Sequence, residues 1–139
     1  MRQCAVSSLV YQMIIVVLFT TTGCIRVEPF TFNITDVALA HNAQVLENGE
    51  AMPVGVTDVF STPDPQILLC YRLQSSSKLR ITYRWYMENT LVVEHSGMAS
   101  YGGICTSIVP GEGGFAPGSY RVEVLVEGGV FRTATFVVR

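Results

Sequence analysis

Two segments of the chain alternate between apolar and polar side chains. Apolar residues take the odd positions of residues 79–87 and the even positions of residues 120–126. Successive side chains of a β-strand point to opposite faces, so each segment presents one apolar face and one wet face. The apolar sets are Leu79, Ile81, Tyr83, Trp85 and Met87, and then Tyr120, Val122, Val124 and Val126. These patterns predict two half-buried strands and indicate which side chains face the core.

Five further strands are predicted, with turn residues between them. The segments rich in β-forming residues are 34–40, 66–73, 91–94, 104–109 and 130–138. Gly, Pro, Asn and Ser gather in the predicted loops at 42–56, 61–65, 74–78 and 110–117. No window shows the apolar period of an amphipathic helix. The sequence therefore predicts an all-β domain, an antiparallel sandwich or barrel of about seven or eight short strands.

The N-terminal residues have the pattern of a secretory signal. Arg2 is the only charged residue before Arg26, and the apolar stretch at residues 9–19 is interrupted once, by Gln12. A helix of that length rises about 17 Å, whereas a bilayer core of about 30 Å needs roughly 20 apolar residues. A basic start, a short apolar stretch and small residues favour a signal helix that is cleaved. The alternatives are an uncleaved membrane anchor and a buried N-terminal helix.

The stretch ends in Thr21-Thr22-Gly23-Cys24, which resembles the lipobox of bacterial lipoprotein signal peptides. Thr21 departs from the Leu that is usual in that family. The resemblance implies a signal peptide at residues 1–23 and a Cys24 that carries a diacylglycerol and often an amide-linked acyl chain such as palmitate. Residues 24–32 would then be a lipidated tether and residues 33–139 the folded domain. The expected location is the cell envelope, attached to a membrane through Cys24 and facing the periplasm or the exterior.

The predicted domain resembles the immunoglobulin-like β-sandwiches of bacterial envelope proteins. The resemblance is carried by Trp85 within the segment RITYRWY, by the run from Ala116 to Val124 (APGSYRVEV), and by a terminal strand that ends in Phe-Val-Val at residues 136–138. It implies a core Trp and a corner Tyr at Tyr120. In antibody domains a Cys follows the corner Tyr by two positions. Here that position is Val122, so the standard inter-sheet disulfide cannot form.

Two cysteines remain once Cys4 is lost with the leader and Cys24 is lipidated, namely Cys70 and Cys105. A pair of cysteines in an exported chain suggests a disulfide. Both residues lie on the more polar face of their predicted strands, so we expect a cross-strand bridge on the outer face of one sheet. The alternative is two free, buried thiols.

The sequence offers little catalytic or metal-binding chemistry. His41 and His95 are the two histidines, both expected in exposed positions, and neither has a metal-ligand spacing. A weak alternative is a Ca²⁺ site formed by Glu50, Asp58 and Asp64. No catalytic residue, metal or cofactor is predicted. The formal net charge of −2 argues against a nucleic-acid ligand.

Three aromatic residues are candidates for a binding surface. Tyr86 lies on the polar face of its predicted strand, and Tyr101 and Phe115 fall in segments predicted to be glycine-rich loops. Alternatively, Tyr86 covers the sheet and Phe115 plugs one end of the sandwich. The expected function is a non-enzymatic, lipid-anchored binding or structural module with an unidentified protein partner. The alternatives are a small envelope enzyme and a signal-anchored accessory subunit of a membrane complex.

Overall fold

The computed structural model describes residues 31–139. The predicted signal segment 1–23 and Cys24 lie outside the described residues. Seven strands make up the described part: β1 (Phe32–Val45), β2 (Ala51–Val56), β3 (Val59–Phe60), β4 (Ile67–Met87), β5 (Thr90–Ile108), β6 (Gly118–Val126) and β7 (Gly129–Val138). The described chain is all-β, as predicted. β1 begins one residue before the predicted start of the domain.

The strands form one hydrogen-bonded sheet that curls into two layers. Its order is β2-β1-β4-β6-β7-β3, with β5 pairing β4. Residues 67–74 of β4 pair with β1 and with residues 101–108 of β5, whereas residues 79–87 pair with β6 and with residues 90–99 of β5. We call residues 32–40 of β1, 67–74 of β4 and 101–108 of β5 the disulfide layer. The second group, with β7 and β3, is the tryptophan layer.

The core lies between the two layers and is built from the alternating faces. Ile67, Leu69, Tyr71 and Leu73 come from the disulfide layer, and Leu79, Ile81, Tyr83 and Trp85 from the tryptophan layer. The even-numbered apolar residues of β6 face the same core, together with Phe136 and Val138 of β7. The inward faces predicted for residues 79–87 and 120–126 are therefore confirmed.

Two predicted loops are continuous strand. Residues 74–78 belong to β4, and residues 95–103, between two predicted short strands, belong to β5. The register of β4 against β5 shifts between Gln74 and Leu79, where both strands pass from one layer to the other. The loop prediction was wrong because polar and glycine-rich residues tolerate this bend while the ladder continues on either side of it. β2 and β3 were also not predicted.

The hairpin of β1 and β2 folds back over the outer face of the disulfide layer. β2 contacts β5, although β1 and β4 lie between them in the hydrogen-bonded order. The turn at its tip has the Asn48-Gly49 chemistry expected from the sequence, because Gly49 takes a φ of 83° and its N–H donates to the Leu46 carbonyl at 2.9 Å. The hairpin therefore covers a face that would otherwise be in solvent.

Features of an immunoglobulin-like sandwich are present in the tryptophan layer. Trp85 is fully buried and pairs across strands with Val122. The Tyr120 hydroxyl donates to the Ala116 carbonyl at 2.8 Å, which is the geometry of a tyrosine corner. β3 pairs in parallel with the end of β7. The fold is an immunoglobulin-like β-sandwich, as expected from the sequence.

Candidate functional site

The three aromatic residues of the predicted binding surface do not lie together. Phe115 is 5% exposed and packs in the core, so it cannot contribute to a surface. Tyr86 is half-buried on the outer face of the tryptophan layer, with the Arg121 guanidinium carbon 4.1 Å from its ring centroid. Tyr101 is 67% exposed and lies in strand β5 of the disulfide layer rather than in a loop. Of the three, Tyr101 presents the largest free aromatic surface.

Cys70 and Cys105 form a disulfide between directly paired residues of β4 and β5. The bridge lies on the outer face of its layer, since Cys70 alternates with the core residues Leu69 and Tyr71. Cys70 is nevertheless 1% exposed. The β1–β2 hairpin folded over this face accounts for that burial.

The cross-strand pairs of the disulfide layer place Tyr101 in a row with two amide side chains. Asn33 of β1 lies opposite Gln74 of β4, and Gln74 lies opposite Tyr101 of β5. Directly opposite residues share a face, and neighbouring strands are about 4.8 Å apart, so the row spans about 10 Å. We call these three residues the Tyr101 row.

The Tyr101 row was not predicted from the sequence, although one signal for it is present there. A Cys70–Cys105 bridge between opposite residues sets the register of β4 against β5. In that register Gln74 falls opposite Tyr101. The predicted disulfide was therefore sufficient to place Gln74 opposite Tyr101. The position of Asn33 also depends on the β1–β4 register, which no sequence motif indicates.

The hairpin tip forms a wall beside the Tyr101 row. Glu50 accepts a hydrogen bond from Arg72 at 3.2 Å, and its own backbone N–H donates to the Asn48 side chain at 3.0 Å. A Cβ built on Gly103 would overlap the carbonyl oxygen of Ala51. The glycine therefore allows the hairpin backbone to pack directly against β5. Two concavities of about 380 and 300 Å³ result, one on each side of Tyr101.

The outer face of the tryptophan layer carries paired charges. Arg84 donates to Glu94 at 2.5 Å and Arg121 donates to Glu123 at 3.2 Å. The Glu94 carboxylate raises the pKa of Arg84 through this hydrogen bond. Exposed pairs of this kind contribute little to stability, because water and salt screen them. This face is a solvated surface on which Arg84 and Arg121 are already engaged.

Residues 90–99 of β5 form an unpaired sheet edge, which we call the β5 edge. Among residues 31–139, β5 pairs with β4 alone. Leu91, Val92 and Met98 are 47%, 54% and 58% exposed along this edge. An unpaired edge offers backbone N–H and C=O groups to another chain, and apolar side chains beside it add to that tendency.

His95 faces the interior, so the prediction of an exposed loop position was wrong. It lies on β5, its ring centroid is 5.0 Å from that of Tyr83, and its Nε2 atom is 2.5 Å from the Thr106 hydroxyl. Burial lowers the pKa of His95 below its usual value. Next to it, the Tyr71 and Tyr83 hydroxyls are hydrogen-bonded at 2.6 Å. His95 thus belongs to a small polar cluster between the layers.

The carboxylates considered for calcium have other partners or are separate. Asp64 accepts from the Ser61 N–H at 2.8 Å and lies 3.6 Å from His41, while Glu50 pairs with Arg72. Within residues 31–139 no three His, Cys, Asp or Glu side chains are grouped so as to hold a metal ion. In the same range, no helix has the length and apolar character needed to cross a bilayer.

A concavity of about 540 Å³ lies at the end of the sandwich where β3 meets β7. Asp58, Glu88, Arg121 and Arg139 contribute charges of both signs to its lining. Arg121 is already engaged by Glu123 and stacked over Tyr86. This cleft is open, and its lining mixes charged and apolar side chains.

No protein-family model and no curated protein sequence matches the chain. Among solved structures, it is similar to the alkylpurine DNA glycosylase AlkC of Pseudomonas fluorescens, solved with DNA containing an abasic-site analogue. That likeness has a TM-score of 0.50 at 15% identity and covers 78% of this chain but 30% of the glycosylase. An immunoglobulin-like protein of Pseudomonas aeruginosa gives a TM-score of 0.42 at 14% identity, over 77% of this chain and 97% of that one. At 15% identity, the glycosylase match shows a shared fold and carries no activity over to this chain.

Proposed function

We propose that the chain is a lipid-anchored, non-catalytic binding module of the cell envelope, and that it presents the β5 edge to a protein partner. The observation that carries the binding role is the β5 edge, with its exposed Leu91, Val92 and Met98. Strand addition at such an edge obtains affinity from backbone hydrogen bonds and specificity from the flanking side chains.

The disulfide supports the location outside the cytoplasm. Bridges such as Cys70–Cys105 persist in oxidising compartments and are rare where thiol reductants are abundant. The lipobox-like sequence before Cys24 would direct the acylation of Cys24, and the acyl chains would attach the domain to a membrane. Each buried methylene of an acyl chain contributes about 0.8 kcal/mol, and two or more chains hold a domain of this size stably on a bilayer.

The histidine environments favour binding over catalysis. His95 is engaged by Thr106 and Tyr83, and His41 contacts Asp64 and the Phe60 ring, whose centroid is 4.9 Å away. The net charge of −2 favours a protein over a nucleic acid as the partner.

An envelope enzyme that uses the cleft at the β3–β7 end is the second candidate. A retained leader in a membrane complex is the third.

Anchoring is tested with Cys24→Ser, using Cys4→Ser as the matched control. Labelled palmitate, intact mass and membrane fractionation are compared in a bacterial host. We expect Cys24→Ser to lose the label and the cleavage after Gly23, while Cys4→Ser behaves like wild type. A Cys24→Ser product that is still processed and membrane-held contradicts lipid anchoring, and a retained leader in wild type favours the accessory-subunit reading.

The binding role is tested by photo-crosslinking in cells from position 98, with position 130 as the control. Met98 lies on the β5 edge, and Val130 is similarly exposed, at 57%, on β7. We expect a discrete protein adduct from position 98 that disappears with Val92→Lys, because a charge on an edge opposes strand addition. Equal adducts from both positions, or none from position 98, contradict the proposed edge.

A further inference from the structure

We propose that the Tyr101 row, Asn33-Gln74-Tyr101, binds a neutral saccharide of an extended glycan. The inference rests on the proposed role as a binding module and adds a second ligand class at a site apart from the β5 edge. It is carried by one aromatic side chain and two amides aligned on three neighbouring strands.

Tyr101 supplies the apolar surface that a sugar ring needs. Its side chain is 67% exposed on a strand, and its hydroxyl makes no hydrogen bond to any other residue of the range 31–139. The face of an aromatic ring carries partial negative charge and attracts the weakly positive C–H groups on one face of a pyranose. Small-molecule sites commonly combine such a ring with a few placed polar groups.

The two amides supply the polar groups. Each carries two N–H donors and a carbonyl acceptor, which matches hydroxyls that both donate and accept. Within the described residues, no hydrogen bond occupies the side chain of Asn33 or Gln74. The row, about 10 Å long, accommodates a disaccharide lying across the strands. Thr31, Ser75 and Ser76 add hydroxyls to the lining beside it.

The charge around the row favours an uncharged ligand. The residues that line the two concavities are neutral apart from Glu50, whose carboxylate is engaged by Arg72. No cation of the lining is available to a phosphate or a carboxylate, which usually require Arg or Lys. The hairpin tip at residues 48–50 borders the site on one side. An extended glycan would therefore contact the hairpin tip as well as the surface of the sheet.

The test is a calorimetric titration of the full-length chain, purified in lauryldimethylamine oxide because its headgroup contains no sugar. The probes are cellohexaose, chitohexaose, maltohexaose and mannohexaose, with a heparin hexasaccharide as the anionic comparison. We expect at least one neutral hexasaccharide to bind and heparin to bind more weakly. Tyr101→Ala should weaken binding at least about tenfold. Tyr101→Phe should stay within about threefold of wild type, because the ring is kept.

Tyr86→Ala is the matched control, since it removes a tyrosine from the other layer. It should bind like wild type, and circular dichroism should show that every variant is folded. The proposal is overturned if none of the four neutral probes binds up to about 10 mM, if heparin binds more tightly, or if Tyr101→Ala leaves the affinity unchanged. The titration needs neither Cys24 lipidation nor a protein partner, so its failure is distinguishable from failure of the proposed function.

Discussion

The disulfide layer has both faces covered, whereas the tryptophan layer has one face in the core and the other in solvent. The hairpin of β1 and β2 lies over the outer face of the first, and Cys70 beneath it is 1% exposed. The outer face of the second carries the ion pairs of Arg84 with Glu94 and of Arg121 with Glu123. The two layers of the fold therefore differ in what covers their outer faces.

The covalent constraint acts within the disulfide layer and not between the layers. In antibody domains the disulfide joins the two sheets beside the core Trp. Here Val122 lies opposite Trp85, and the bridge instead joins neighbouring strands of a single layer. The layers are thus held together by apolar packing and by the continuity of β4 and β5 through both. Loss of the core Trp should affect the whole domain, and loss of the bridge mainly its own layer.

The largest expected effect is that of Trp85→Ala. Trp85 is fully buried, and replacing a buried Trp by Ala costs about 3–5 kcal/mol of unfolding free energy. Urea unfolding followed by circular dichroism measures it. Tyr86→Ala, one residue along on the outer face, should cost less than about 1 kcal/mol. Similar losses for the two variants would contradict the assignment of inner and outer faces.

The double variant Cys70→Ala/Cys105→Ala should lower the unfolding free energy by about 3–4 kcal/mol, given the separation of 35 residues along the chain. The location of the increased exchange shows whether the bridge acts on one layer or on both. Amide hydrogen exchange should rise first in β1, β2 and residues 67–74 of β4, and least in β6. A uniform rise across both layers would show that the bridge acts on the domain as a whole.

A smaller effect is expected from Gly103→Ala, which tests whether the hairpin covers the disulfide layer. A Cβ at this position overlaps the Ala51 carbonyl, so the variant should lose about 1–3 kcal/mol and expose the hairpin to proteolysis. Gly97→Ala is the matched control on the same strand, because nothing lies within 4 Å of its Cβ. It should be neutral or slightly stabilising. If Gly103→Ala is equally neutral, the hairpin does not lie against β5 in solution.

The sequence predicted the tryptophan layer better than the disulfide layer, for a physical reason. The alternation at residues 79–87 and 120–126 exists because one face is buried and the other wet, and the strands and inward residues follow from it. The outer face of the disulfide layer is covered by β2, so this contrast is weaker there. The hairpin cover depends on a long-range contact, and the Tyr101 row on the register of three strands. No local pattern indicates either feature.

His95 provides the smallest effect and makes a contact between the two layers along β5. It lies in the tryptophan layer, and its partner Thr106 lies in the disulfide layer on the same strand. The groups that face it are the hydroxyls of Thr106, Tyr83 and, beyond Tyr83, Tyr71. Glu94 is on the opposite face, engaged by Arg84. A proton gained by His95 therefore finds no anion nearby to stabilise it.

The pH dependence follows from the direction of the shift. Burial lowers the pKa of His95 in the folded state, while the unfolded chain has the ordinary value of 6.5. Below that pH the imidazole of the unfolded state binds a proton more readily than the imidazole of the folded state. The contribution of His95 to the free energy of unfolding is therefore fully present above about pH 7, and it is lost as the pH falls from 6.5 toward the folded pKa. Urea unfolding between about pH 8 and 5.5 should show this slope in wild type and a flatter one in His95→Gln. Equal slopes of the free energy of unfolding against pH for the two proteins would mean that the His95 imidazole lies in solvent. The contact of His95 with Thr106 between the two halves of β5 would then be absent.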